Sequence, residues 1–253
     1  MGTNACRNSV AGLAIGIVVL LACGSPSTAQ LRIDVEGSRA WSSYNDVRIP
    51  GDGGTDISLT DDLETDPKIV GRLRVGYTFG GRHTLSALYA PLTLEAGGTT
   101  AEPIIFEGEE FPAGTEVDAS YTFNSYRLTY RYEFETSGRL EYGLGFTAKI
   151  RDAEVALEGG GKDASKTNVG FVPLLNFRVR ARLSDALSLA LDGDALAAPQ
   201  GRAEDVSLAL VYGATDAVDV RVAYRIVEGG ADNDEVYNFT LVNYASLGVG
   251  VTF

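Results

Sequence analysis

The sequence predicts an all-β fold, a transmembrane antiparallel up-and-down β-barrel of about ten strands, with eight or twelve strands as the alternatives. Three observations carry this reading. Apolar residues alternate with polar or small ones through ten separate stretches, the period of two that belongs to strands. Short and long connections alternate along the chain, as they do where periplasmic turns face extracellular loops. No apolar run beyond residue 29 approaches the roughly 18 residues of a helical span, so any crossing of a bilayer is made by strands.

The chain begins with a segment outside the barrel. Arg7, the apolar run from Val10 to Ala22 and the small residues Ser27 and Ala29 make the three-part pattern of a secretory signal, cleaved after Ala29. Leu20-Leu21-Ala22-Cys23 offers an alternative, a lipoprotein site with lipid on Cys23. Residues 1–29 are assigned to the signal and 30–253 to the barrel. Cys6 and Cys23 are the only cysteines, so cleavage after Ala29 leaves no disulfide and the fold depends on burial and closed hydrogen bonding.

Strands are expected at 31–41, 67–79, 83–94, 116–135, 139–157, 166–183, 187–196, 204–213, 217–227 and 235–253. Gly80-Gly81-Arg82, Thr136-Ser137-Gly138, Ser184-Asp185-Ala186 and Ala214-Thr215-Asp216 are tight turns, and 42–66, 95–115, 158–165, 197–203 and 228–234 are long loops. An even number of strands with this alternation puts both ends of the barrel segment on the tight-turn, periplasmic side.

Cross-strand pairing tests the register, because like faces must meet. Across 136–138, Tyr132 is expected opposite Tyr142, Tyr130 opposite Leu144 and Arg131 opposite Gly143; across 184–186, Arg178 opposite Asp192; across 214–216, Asp205 opposite Arg225. In 83–94, Leu88, Leu92 and Leu94 break the parity of Leu85, Ala87 and Tyr89, and a bulge near Pro91 is the expected cause. Strands 116–135 and 139–157 exceed what a bilayer needs, so they are expected to project outward. Tyr77, Phe79, Tyr126, Tyr130, Tyr132, Phe134 and Tyr142 read as an aromatic girdle at the periplasmic interface. A soluble periplasmic β-sandwich would also alternate, but it has no reason to keep its tight turns at one end.

The final strand adds a resemblance. Leu247, Val249, Val251 and Phe253 resemble the C-terminal assembly signal of bacterial outer-membrane β-barrel proteins, with Val251 where an aromatic is more usual. FNSYRLTYRYEF (123–134), GFTAKIRDAEV (145–155), DALAAPQGRAEDVSL (194–208) and YRIVEGGADNDEVYNF (224–239) resemble an uncharacterised family of small barrels of this kind. The resemblance implies residence in the outer membrane, with lipid, lipopolysaccharide and the barrel assembly machinery as partners. It implies no activity, so no functional residue is carried over.

Charge narrows the function further. Without the signal, 20 Lys and Arg stand against 34 Asp and Glu, a net charge of −14, which excludes nucleic acid as a partner. Parity turns twelve cations inward: Arg32, Arg72, Arg74, Arg127, Arg131, Lys149, Arg151, Arg178, Arg180, Arg182, Arg221 and Arg225. Eight carboxylates face them: Asp34, Glu36, Glu133, Glu141, Asp192, Asp194, Asp205 and Asp219. A barrel this narrow is filled by its side chains, so these charges read as a plug of ion pairs. The functional alternative is a small anion-preferring passage or a ligand site at Arg178, Arg180 and Arg182.

What remains outside is acidic, notably 51–66 and 229–235. The plain reading is a solvated, mutually repelling rim, and the alternative is divalent cations bridging it to lipopolysaccharide. No cofactor is expected. His83, the only histidine, follows a periplasmic turn without an oriented partner in the sequence, which argues against general-base catalysis. The expected function is a non-enzymatic barrel with a structural, surface-interaction or limited small-solute passage role. An enzyme modifying envelope lipid or peptide at the extracellular rim is the alternative, with Asp152, Glu154, Asp192, Asp194 and Asp234 as its carboxylates.

Overall fold

The computed structural model describes residues 29–134, 138–199 and 201–253, and these contain strands, turns and bends without a helix. Residues 1–28, with both cysteines and almost all of the expected signal, lie outside the described residues, as do 135–137 in the second tight turn.

The alternating stretches form β1 (Gln30–Arg48), β2 (Ile57–Ser58), β3 (Glu64–Thr65), β4 (Lys68–Phe79), β5 (His83–Ala90), β6 (Thr93–Thr99), β7 (Ile104–Phe106) and β8 (Glu109–Phe111). They continue as β9 (Glu116–Glu133), β10 (Leu140–Gly159), β11 (Lys162–Arg182), β12 (Leu187–Ala198), β13 (Gly201–Gly213), β14 (Val218–Asp232) and β15 (Tyr237–Thr252). The wall has ten staves, with β5 and β6 sharing one. Each pairs antiparallel with the next from β1 and β4 round to β15, which returns to β1. The closing ladder runs from Arg32↔Thr252 to Arg48↔Tyr237, and the backbones of Leu31 and Phe253 exchange hydrogen bonds of 2.8 and 3.3 Å. Closure removes the unpaired edges that an open sheet of this length would carry.

Polarity is inverted relative to a soluble sheet. Phe146 is 67% exposed and Leu247 66%, whereas Arg127 is 5% exposed and Arg131 7%. A sandwich would bury the first pair and hydrate the second. The outer belt of Leu73, Leu128, Leu144, Phe171, Leu210 and Val222 therefore faces lipid.

The girdle at the turn end is a chain of ring contacts. Tyr77 meets Phe79 at 6.3 Å, Phe79 meets His83 at 5.3 Å, His83 meets Tyr132 at 5.1 Å, Tyr132 meets Phe134 at 5.3 Å and Phe134 meets Tyr142 at 5.5 Å. Tyr126 does not belong to it. It lies six residues up β9 from Tyr132 and stacks on Tyr89 at 5.2 Å, toward the other side of the belt.

Several expectations need correction. β9 and β10 pair as Tyr132↔Leu144, Tyr130↔Phe146 and Arg131↔Gly145, two residues from the expected register, and β13 and β14 pair as Ser207↔Arg225. An even slip keeps every side chain on its face, so alternation alone does not exclude it. β11 and β12 do place Arg178 opposite Asp192. Three of the five expected long loops are short turns on longer strands. β10 reaches Gly159 and β11 starts at Lys162, with Gly160 and Gly161 at φ of +59° and +78°, the two left-handed residues of a tight hairpin. β12 and β13 are separated by residues 199–200, and β14 and β15 by 233–236.

The expected bulge near Pro91 is also absent. Ala90↔Ser125 and Thr93↔Thr122 keep one register with β9 across the break. Leu88, Leu92 and Leu94 instead point inward and are buried, so the interior contains an apolar layer that a polar-lumen rule does not anticipate. The bulge lies in β1, between Ser42 and Tyr44, and moves Tyr44 to the outer face while Asn45 turns in.

Above the belt, β9 to β11 rise as a wall extension whose outer face turns polar at Asn124 and Asp152. The segment 49–66 and the β7–β8 hairpin fold against this extension and cap the mouth. Val47, Ile49, Leu59, Phe106, Phe111, Val117 and Leu157 form the cap core, each at most 1% exposed. Glu107 N–H donates to Ile49 C=O at 3.0 Å and Thr55 N–H to Ile105 C=O at 2.9 Å, which ties the hairpin to the segment. Each fully buried phenylalanine contributes about 1.5–3 kcal/mol.

Candidate functional site

The barrel interior collects the inward cations and carboxylates into layers. At the turn end a cavity of about 400 Å³ is lined by Arg32, Asp34, Arg74, Arg178, Arg180, Asp192 and Asp219, among others. Asp34 is held by Arg32 at 2.8 Å and Arg221 at 2.7 Å, and Arg32 reaches Asp219 at 2.6 Å. Arg178 binds Asp192 at 2.6 Å, and Arg131 binds Glu133 at 2.5 Å while approaching Asp192 at 3.8 Å. Glu141 and Arg182 pair at 3.3 Å, and Arg182 is half exposed at the rim.

Arg178, Arg180 and Arg182 therefore do not form one cationic site. The first and third are paired; of the three, Arg180 alone makes no ion pair with a described residue, and its Nε is buried without an acceptor. Glycines make the required room. A Cβ on Gly248 would sit 2.5 Å from Arg221 Nε, and one on Gly250 would sit 2.0 Å from an Arg32 amino nitrogen. The small face of the terminal strand is thus the floor on which two arginines lie.

Above the cavity a transverse belt crosses the lumen. Asp205 accepts from Arg225 at 2.6 Å, Arg127 at 2.7 Å and Arg72 at 3.2 Å. Arg127 also binds Asp194 at 2.8 Å, and Asp194 accepts from Thr147 at 2.6 Å and Asn176 at 2.8 Å. Thr147 and Thr129 hydroxyls meet at 2.8 Å across β9 and β10. Asp205, Asp194, Arg127 and Arg72 are all buried, none more than 7% exposed. Charges withdrawn from water this far are tolerable only when paired and hydrogen bonded, and here one carboxylate serves three guanidinium groups from three staves.

An apolar layer of Ala40, Leu92, Leu94, Val227, Val242 and Tyr244 lies beside and above the belt. This layer could not be read from alternation, because its residues share the face assigned to charges. A second cavity of about 400 Å³ follows, between this layer and the cap.

The rim residues weighed for catalysis do not converge. Asp192 and Asp194 are inside the ion-pair network, whereas Asp152 accepts from Asn124 at 3.3 Å on the outer face. His83 Nδ1 lies 2.8 Å from the Tyr130 hydroxyl within the girdle, at the opposite end from the cap. Among the described residues no three of His, Cys, Asp or Glu are grouped to hold a metal.

No protein-family model matches the sequence, and none of the curated proteins matches it. Solved structures do. The outer membrane protease OmpT from Escherichia coli is 10% identical, with 88% of this chain and 97% of that one covered at a TM-score of 0.55. An outer membrane channel from Pseudomonas putida F1 is 11% identical over 91% of this chain and 97% of its own, at a TM-score of 0.44. Neisserial surface protein A is 16% identical over 90% and 98%, at a TM-score of 0.33. At such identities a likeness speaks for architecture alone. Together with the closed ring and the apolar belt, the OmpT match identifies the fold as that of a bacterial outer-membrane β-barrel.

Proposed function

We propose that the protein is a non-enzymatic outer-membrane barrel, closed to solutes, which holds a folded acidic head above the membrane for structural or surface contact. The observation that carries this reading is the double closure of the lumen. The Asp205 belt blocks its middle with three arginines, and the cap seals its mouth around Phe106 and Phe111. The small-solute passage weighed from the sequence would need both to move. Catalysis finds no support in the arrangement of the rim carboxylates.

Acidic residues dominate the head, with Asp52, Asp56, Asp61, Asp62, Glu64 and Asp66 in its first loop. Contact with lipopolysaccharide through shared divalent cations fits this charge, since a cation there would draw part of its ligands from lipid phosphate. Planar-bilayer recording of the purified protein tests the closed reading. Wild-type protein is expected to give no conductance steps, and regular steps at moderate voltage would overturn it.

A further inference from the structure

The upper cavity carries an inference that the closed-barrel reading leaves aside. Its walls are mostly apolar, with Phe123, Val155, Val172, Leu196, Val227 and Val236 among them, and its volume of about 400 Å³ lies in the range of small-molecule sites. Two adjacent inward positions of β10 put cations into it. Lys149 is 3% exposed, and its ammonium lies 4.4 Å from the centre of the Phe123 ring. Among the described residues it makes no hydrogen bond and no ion pair.

Arg151 lies across from Gly170 and bonds Asn168, while its Nε is buried without an acceptor. The cavity's carboxylates, Glu154, Glu228 and Glu235, pair with neither cation, and Glu228 is held by Arg202 at 2.6 Å. Asp205 and Asp194 attract this ammonium and Arg127 and Arg151 repel it, but no carboxylate bonds it, and a cation buried against apolar walls without a contacting counter-charge costs several kcal/mol. The site therefore favours an anion with an apolar body.

The wall beside the cavity is incomplete. The β11–β12 ladder runs from Arg182↔Ser188 to Leu175↔Ala195 and stops. Residues 162–174 of β11 pair with β10 on one side and, among the described residues, with no wall strand on the other, until the cap hairpin meets Lys162 and Lys166. Pro173 stands where the ladder ends, a residue that suits an edge because it has no N–H to leave unpaired. The cavity lining includes inward Val172 and outward Phe171 and Pro173, so the cavity reaches past this edge. Phe171 is opposite Ile150, the last apolar outer residue of β10 before Asp152, so the gap opens at the upper margin of the lipid-facing belt.

We infer that this cavity binds a long-chain carboxylate, its head on Lys149 and Arg151 and its chain along the apolar lining, admitted from the lipid past the free edge of β11. Titration of sodium oleate into full-length protein in phosphatidylcholine nanodiscs, with empty nanodiscs as reference, tests it. One saturable site per chain is expected. Lys149→Gln should weaken it at least tenfold while keeping the heat-modifiable gel mobility of the folded barrel. Methyl oleate, which has the same chain without the charge, should bind wild-type protein at least tenfold more weakly than oleate. Val172→Trp, which fills the entrance and keeps both cations, should also abolish binding. Oleate uptake no greater than in empty nanodiscs, equal affinity for acid and ester, or unchanged binding by folded Lys149→Gln would each overturn the assignment.

Discussion

Asp205 shows how a single carboxylate can organise the inside of a barrel. It does not face Arg225 in the register, since Ser207 does, yet Arg225 reaches it diagonally at 2.6 Å. Arginine's length therefore yields the expected contact from a register displaced by two. Removing the carboxylate would leave Arg127 with Asp194 alone and Arg72 and Arg225 sharing Glu36, at 3.8 and 3.4 Å. Asp205→Ala is expected to destabilise the barrel by about 3–5 kcal/mol, as for a broken buried pair, and Asp205→Asn by less. Urea unfolding in lipid vesicles measures both, and a loss below about 1 kcal/mol for the alanine variant would contradict the belt's role. At this scale parity located the inward arginines, because a period of two is robust to even slips. It could not say which of them are paired. Arg178 has its carboxylate opposite, Arg180 faces Ala190, and nothing in their spacing distinguishes them.

Strands and hairpins were legible in order and sidedness, and much less so in length. The connection 158–165 contains polar residues and three glycines, which read as a loop, yet the chain pairs through it except at Gly160 and Gly161. Polar residues on both faces suit a strand standing above the membrane as well as they suit a loop, so composition alone does not separate the two. The leucines around Pro91 misled for a related reason. An inward apolar residue contradicts a polar lumen only if the lumen is uniform, and this one is layered. The cap was missed because its core joins residues as distant as Val47, Phe106 and Leu157. Phe106→Ala is expected to cost about 3–5 kcal/mol, borne by the cap rather than the belt. Limited proteolysis should then cut 49–66 and 104–111 while the wall strands stay protected. Cleavage at the wild-type rate would show that the cap does not depend on Phe106.

As a whole, the molecule is apolar around its waist, ionic at its centre and acidic at its head. Such a chain should stay with membranes through high-salt and carbonate washes, leave them in detergent, and migrate differently before and after boiling. Release by salt alone would be incompatible with the belt. The closing contact between β1 and β15 has a further consequence, which concerns time. All other ladders between wall staves join strands that follow one another along the chain, whereas Ser38 meets Ser246 across 208 residues. A contact of that separation carries the largest loop entropy in the fold. The seam should therefore form after the hairpins have assembled, as the last step of folding. Until it does, β1 and β15 are two open edges, and that interval is when the nascent sheet is most exposed to pairing with the wrong strand.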